Sequence, residues 1–241
     1  MASPRQRVDQ QPGFILHSIP YRETSLIVEA LTREHGRVAL IAKGARRPHS
    51  TLRGLLMAFQ PLWLDWSGGG ELKTLIRAEW QGGQPLLTGR ALLCGYYLNE
   101  LLVKLLARED AHPALFSGYA EVLRDLSQGQ ATEPLLRRFE LRLLRELGYG
   151  LDLEHEAATG LPIRPEAAYV YDIERGFVPV NPTEGGAAGV SGRVLQNMAR
   201  EAFTDPETQQ QAKLLLRRLL NHYLGGQPLP SRGVFMELHD V

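Results

Sequence analysis

The chain has 241 residues, 44% hydrophobic and 22% charged, which suits one large or two small folded domains. Its formal net charge of zero hides an asymmetry: residues 1–80 carry 11 Lys and Arg against 7 Asp and Glu, and residues 81–241 carry 16 against 20. No window approaches the ~18 uninterrupted apolar residues of a membrane helix, and the single cysteine, Cys94, excludes an internal disulfide and a four-cysteine zinc site.

Met1 to Pro12 is polar and lacks the apolar centre of a signal peptide, so it reads as a frayed arm of a cytoplasmic protein. Phe14-Ile15-Leu16 opens the first strand. Thr24 to Thr32 alternates, with Leu26, Val28 and Ala30 on one face and Ile27 and Leu31 on the other. Glu34-His35-Gly36 is a turn, and Arg37 to Lys43 continues the alternation through Val38, Leu40 and Ala42. Leu62-Trp63-Leu64-Asp65-Trp66 is the next strand, and Ser67-Gly68-Gly69-Gly70 turns it back into Leu72 to Arg77. About five strands in under 80 residues suit a closed OB-type barrel, whereas sandwich edges are hard to cover at this size.

After Gly82-Gly83-Gln84-Pro85 the period becomes helical. Leu92, Tyr96, Asn99, Val103 and Leu106 mark one face, and Leu115, Tyr119, Val122 and Leu126 another. Glu133 to Leu147 is the best-defined helix, with Thr132 as its N-cap, Pro134 in the first turn and Gly148 after its end. Tyr169-Val170-Tyr171 and Gly176-Phe177-Val178 form a short hairpin near 165–180, inside a Pro- and Gly-rich insert spanning 150–190. Ser191 caps a helix from Gly192 to Phe203, and Asp205-Pro206 opens one that runs to Leu224 and stops at Gly225-Gly226. The fold class is therefore α+β: a five-stranded barrel over 1–80 and a mainly helical domain over 81–241.

Motifs for bond-breaking chemistry are missing. Gly68-Gly69-Gly70 lacks the Lys-Ser/Thr of a phosphate loop. His155-Glu156 is followed by Thr159 where a zinc protease needs its second histidine, and Ser191 sits in no nucleophile elbow. No cofactor or metal is expected. What stands out is basic: Arg37, Lys43, Arg46, Arg47 and Arg53 fall within 17 residues with no acid among them. Arginine's planar fork meets phosphate oxygens in pairs, and Gly44 lets the backbone approach a ligand closely. Tyr21, Phe59, Trp63 and Trp66 are aromatic rings for stacking unpaired bases, although Trp63 and Trp66 lie on opposite pleat faces, so one belongs to the core. The plain alternative for the run is a solvated loop. A second cationic face, Arg138, Arg142 and Arg145, falls within ~60° on its helix. It reads either as the solvent side of an amphipathic helix or as a site for an acidic partner.

Several segments together resemble one family. Pro20-Tyr21-Arg22-Glu23-Thr24-Ser25, Ala42-Lys43-Gly44-Ala45-Arg46-Arg47, Leu72-Lys73-Thr74-Leu75, Arg137-Arg138-Phe139-Glu140, Leu147-Gly148-Tyr149 and Leu224 to Arg232 are similar, at matching spacings, to the bacterial RecO recombination mediators. The resemblance implies an N-terminal OB-fold joined to a helical domain. It implies binding of single- and double-stranded DNA, strand annealing without nucleotide hydrolysis, and partnership with RecR and the acidic C-terminal tail of single-stranded-DNA-binding protein in loading RecA at gaps. On that resemblance, Lys43, Arg46 and Arg47 match the basic barrel motif, and Arg138 falls where the acidic-tail site is expected; the charge run adds Arg37 and Arg53 to the DNA-binding candidates, and the helix face adds Arg142 to the acidic-tail candidates. Some members carry a four-cysteine zinc module after this region's Gly-Tyr-Gly-Leu; Leu153 to Gly160 holds no cysteine. The cytoplasm, at the nucleoid, is the expected setting. Three rivals remain at this point: an RNA-binding OB protein, a metal-dependent nuclease, and a scaffold that binds only proteins.

Overall fold

Alternating apolar residues build the front of the chain into β1 (Arg7–Tyr21), β2 (Ser25–Thr32), β3 (Gly36–Ala42), β4 (Leu62–Ser67) and β5 (Leu72–Trp80). The structure, a computed structural model, describes residues 7–180 and 189–237. The strands close in the order β1-β2-β3-β5-β4, with β3 and β5 parallel and β1 pairing β4 to complete the ring, which is the OB-fold. Ile15, Val28, Ala30, Val38, Leu40, Leu62, Leu64, Trp66 and Leu75 fill its interior, and Trp66 is the core member of the tryptophan pair while Trp63 is exposed.

The first strand corrects one expectation. Residues 7–12 are not a frayed arm; they are the half of β1 that pairs with β4, through Arg7↔Ser67, Val8↔Trp66 and Gln11↔Leu64. An irregularity at Gln10 (φ 52°) hides the alternation, and the Gln10 N–H freed by it donates to buried Asp65 Oδ1 at 2.7 Å. One long strand bent this way can serve both neighbours, as barrel closure requires. A second irregularity skips Leu16 in the β1–β2 register. Its carbonyl accepts from Asn99 Nδ2 at 2.8 Å, and Tyr119 OH donates to Asn99 Oδ1. Burial pushes the Tyr119 hydroxyl pKa well up, so it remains a neutral donor.

Asn99 and Tyr119 belong to α2 (Gly89–Leu105) and α3 (Pro113–Ser127). Phe14 packs on Phe116 and Tyr119, at ring separations of 5.5 and 5.2 Å. The α3 face is the expected one, with Leu115, Tyr119, Val122 and Leu126 all buried. The α2 face is not. It buries Cys94, Leu98, Leu101 and Leu102, and leaves Tyr96 half exposed. Leucines and aromatics ring this helix almost completely, so periodicity alone does not select a side. Between β3 and β4 lies α1 (Leu52–Leu55), a four-residue helix too short to show a period.

By contact the chain divides into two compact units: one runs to Gln130 and resumes at Pro228, and the other is Ala131–Gln227. The first unit ends in α7 (Pro230–Glu237), where Ser231 N and Oγ donate to Glu100 Oε2 and Arg232 Nη2 donates to Tyr97 OH. The second holds α4 (Thr132–Glu146), the antiparallel sheet β7-β6-β8 (β6 Ala168–Asp172, β7 Gly176–Pro179, β8 Val190–Ser191), α5 (Gly192–Ala199) and α6 (Pro206–Tyr223). The hairpin and both later caps stand where expected: Ser191 Oγ accepts from Val194 N and Asp205 Oδ1 from Thr208 N. Thr132 is not a cap; it lies inside α4, and its hydroxyl donates to Glu133. In the insert, the buried Glu156 carboxylate accepts from Tyr169 OH and Thr159 Oγ, both at 2.9 Å, with Arg164 at 3.6 Å. These bonds hold its pKa below the usual carboxylate range, Thr159 first and Tyr169 second. Among the described residues, no helix is long and apolar enough to cross a membrane.

Candidate nucleic-acid interface

The chain leaves β3 at Ala42 and makes a tight reversal. Gly44 takes φ +72°, a left-handed conformation that a side chain disfavours. Ala45 then drops back into the barrel interior, fully buried. That single apolar anchor divides the loop, so Lys43 on one side and Arg46 and Arg47 on the other are all exposed. Arg47 N donates to Gly44 O at 3.1 Å and Ser50 N to Arg47 O at 3.1 Å, carrying the turn towards α1, where Arg53 is exposed.

Across the loop lies the β1–β2 turn. Arg46 N donates to Thr24 O at 2.9 Å, and Arg46 Nη1 donates to Arg22 O at 3.1 Å and Glu23 O at 3.4 Å. The two loops therefore form one rim at one end of the barrel. Arg22 in that turn is a further exposed cation, which counting only the 37–53 run passes over.

Glu23 is the one exposed carboxylate in these two loops, and it is not seen paired with the basic loop. Among the described residues, no carboxylate pairs with Lys43, Arg46, Arg47 or Arg53. While exposed Arg33 and Arg124 are not seen in an ion pair among the described residues, several cations elsewhere in the same unit are committed: Arg77 to Glu79, Lys73 to Glu109, Lys104 to Glu100, and Arg108 to Glu29. Arg37 belongs with those and not with the loop. It is mostly buried, its Nη1 donates to Glu29 Oε2 at 2.9 Å, and its Nε and Nη2 donate to Leu106 O at 3.2 and 3.0 Å. Its backbone carbonyl also accepts from Glu109 N at 2.9 Å. The neighbouring Gly36 lets segment 106–110 run this close, since a Cβ there would lie 1.9 Å from Asp110 O. Arg37 is a strut, and every hydrogen-bonding edge of its fork that the strut uses is turned inward. Of the four aromatics expected to stack bases, Phe59 and Trp66 are buried; Tyr21 is partly exposed and Trp63 exposed.

On α4 the adjacent arginines separate. Arg137 is buried against Glu140 at 2.9 Å, whereas Arg138 is exposed with its Nε donating to Glu201 O at 3.3 Å. Arg142 is half-buried and Arg145 exposed. In the same unit α6 presents Lys213, Leu214, Arg217 and Arg218 to solvent, with no acid after Glu207 in that helix.

Two family models cover nearly the whole chain: Recombination protein O N terminal matches residues 7–83 and Recombination protein O C terminal matches residues 86–233. The DNA repair protein RecO of Aromatoleum aromaticum (strain DSM 19018 / LMG 30748 / EbN1) is 63% identical over 239 residues, covering 99% of this chain and 100% of that protein. Those of Azoarcus sp. (strain BH72) and Dechloromonas aromatica (strain RCB) are 59% and 53% identical over 240 residues, each covering 98% of this chain and 99% of theirs. With the OB barrel, the helical continuation and both matches in place, the chain belongs to the RecO family.

Proposed function

We propose that this chain is a non-catalytic mediator of recombinational DNA repair that binds single- and double-stranded DNA and anneals complementary strands, in the cytoplasm at the nucleoid. The relatives carry DNA repair in their names, and membership of the family brings that role here. The finer reading rests on one observation: Lys43, Arg46, Arg47 and Arg53 stand exposed at one barrel end without carboxylate partners among the described residues.

Two DNA strands repel through their phosphates. Cations that neutralise phosphates release condensed counterions and lower that repulsion, while contacts made to the backbone leave the base edges to pair. No bond is made or broken, so no nucleophile, general base or metal enters the step. The family resemblance adds RecR and the acidic tail of single-stranded-DNA-binding protein as partners in loading RecA at gaps. Arg138, turned outward on α4, and Arg142 beside it are the residues we assign to that tail.

A fluorescence assay of complementary oligonucleotides tests the reading. The protein accelerates annealing without nucleotide, and Lys43→Ala with Arg47→Ala removes most of the acceleration. No acceleration by the unaltered chain, magnesium-dependent shortening of the strands, or a clear preference for RNA in competition would each contradict it.

A further inference from the structure

We infer that Arg22, at the tip of the β1–β2 turn, is an additional phosphate-contacting residue of the rim, held in place by Arg46 and Tyr21. The inference rests on the proposed single-strand site and extends it to a second loop.

Four observations converge on this residue. Arg22 is exposed, and among the described residues no carboxylate pairs with it. Its backbone takes φ +52°, a left-handed conformation that a long non-glycine side chain adopts only when its surroundings enforce it. The enforcing contacts are visible: Arg46 Nη1 holds the carbonyls of Arg22 and Glu23, and Arg46 N holds that of Thr24. Lastly, the guanidinium carbon lies 5.1 Å from the centroid of the Tyr21 ring, a cation–π contact that keeps the charge at the turn. A glycine would relieve the backbone at this position, yet an arginine stands there. A strained cation, braced by a neighbouring cation that belongs to the proposed phosphate site and packed only on the adjacent Tyr21 ring, is arranged to present charge.

Arg46 then has two tasks. One nitrogen of its fork positions the Arg22 turn, and its Nε–H and Nη2 edge remains for a phosphate. Removing Arg46 should therefore also loosen Arg22, and the two losses should overlap.

Arg22→Gly separates a binding role from a structural one, because glycine accepts the backbone angle without penalty. The full chain carrying Arg22→Gly should melt no lower than the unaltered chain. Its affinity for single-stranded oligo-dT, read by fluorescence anisotropy over a salt series, should fall about five-fold near 0.1 M salt, and its log–log salt slope should drop by about 0.7, the value of one single-strand phosphate contact. Arg22→Lys, which keeps the charge, should retain the slope. In an Arg22→Gly background, Arg46→Ala should cost less affinity than it does alone. Arg22→Asn, uncharged and tolerant of the same backbone, must reproduce the slope loss if Arg22→Gly alters the melting temperature. If Arg22→Gly and Arg22→Asn keep the original slope while Lys43→Ala with Arg47→Ala lowers it, the Arg22 assignment is wrong and the site stands. If Lys43→Ala with Arg47→Ala leaves the slope unchanged as well, the site itself is wrong.

Discussion

Replacing Arg37 with alanine should destabilise the protein and leave its DNA binding intact, although Arg37 sits in the same basic run as Arg47. Its side chain is 14% exposed and that of Glu29 11%, so the pair operates largely out of water. Alanine removes three hydrogen bonds, one to Glu29 and two to the Leu106 carbonyl. Losing one partner of a buried ion pair costs about 3–5 kcal/mol. Glu29 keeps Arg108, which places the expected loss near the lower end, about 3 kcal/mol. For a chain of this size that corresponds to a fall in Tm of roughly 6–12 °C. Thermal unfolding of the full chain measures the loss, and oligo-dT anisotropy across a salt series, taken well below the transition, measures binding. Arg37→Ala with unchanged Tm and a lowered salt slope would refute the reasoning, because Arg37 would then be facing nucleic acid.

Other outcomes follow from the second unit. Asp205→Ala removes the cap on α6 and should cost about 1 kcal/mol in urea unfolding. Glu156 and Asp205 both have folded-state pKa values held below their unfolded ones, by Thr159 and Tyr169 and by Thr208 respectively. A depressed carboxylate contributes stability that is present above its unfolded pKa and lost as pH falls through the folded one. Stability should therefore be flat near neutrality and decline below about pH 4, and Glu156→Gln should flatten part of that decline. Arg138→Ala should weaken binding of an acidic peptide ending in phenylalanine while oligo-dT affinity stays nearly unchanged. Equal loss of both would make that face more DNA surface.

The barrel was legible because its strands alternate cleanly: Val28, Ala30, Val38 and Leu40 face inward as their spacing requires. The caps Ser191 and Asp205 were legible for an equally local reason, since each satisfies amides within its own first turn. Features set by tertiary contact were not. Residues 7–12 look polar because a bulge at Gln10 breaks their alternation, and their partner β4 is 55 residues away in the Gln10–Asp65 bond. On α2 periodicity places Asn99 and Leu106 but not the burial of Cys94, Leu98, Leu101 and Leu102, because apolar residues ring that helix. In the basic run, Lys43, Arg46 and Arg47 are exposed, but sequence distance cannot separate an arginine paired inward from one turned outward. Arg37 differs from Arg47 only because Glu29 and segment 106–110 happen to meet it. Arg22 lies outside the 37–53 basic run, and the Arg46 bonds join the two loops.

We propose that exposed cations at the barrel rim neutralise single-strand phosphates. The salt dependence of oligo-dT binding by the full chain, compared with Lys43→Ala/Arg47→Ala, tests it most directly. Two lost contacts should lower the log–log slope by about 1.4, with Tm unchanged. An unaltered slope in a folded double variant would contradict the account.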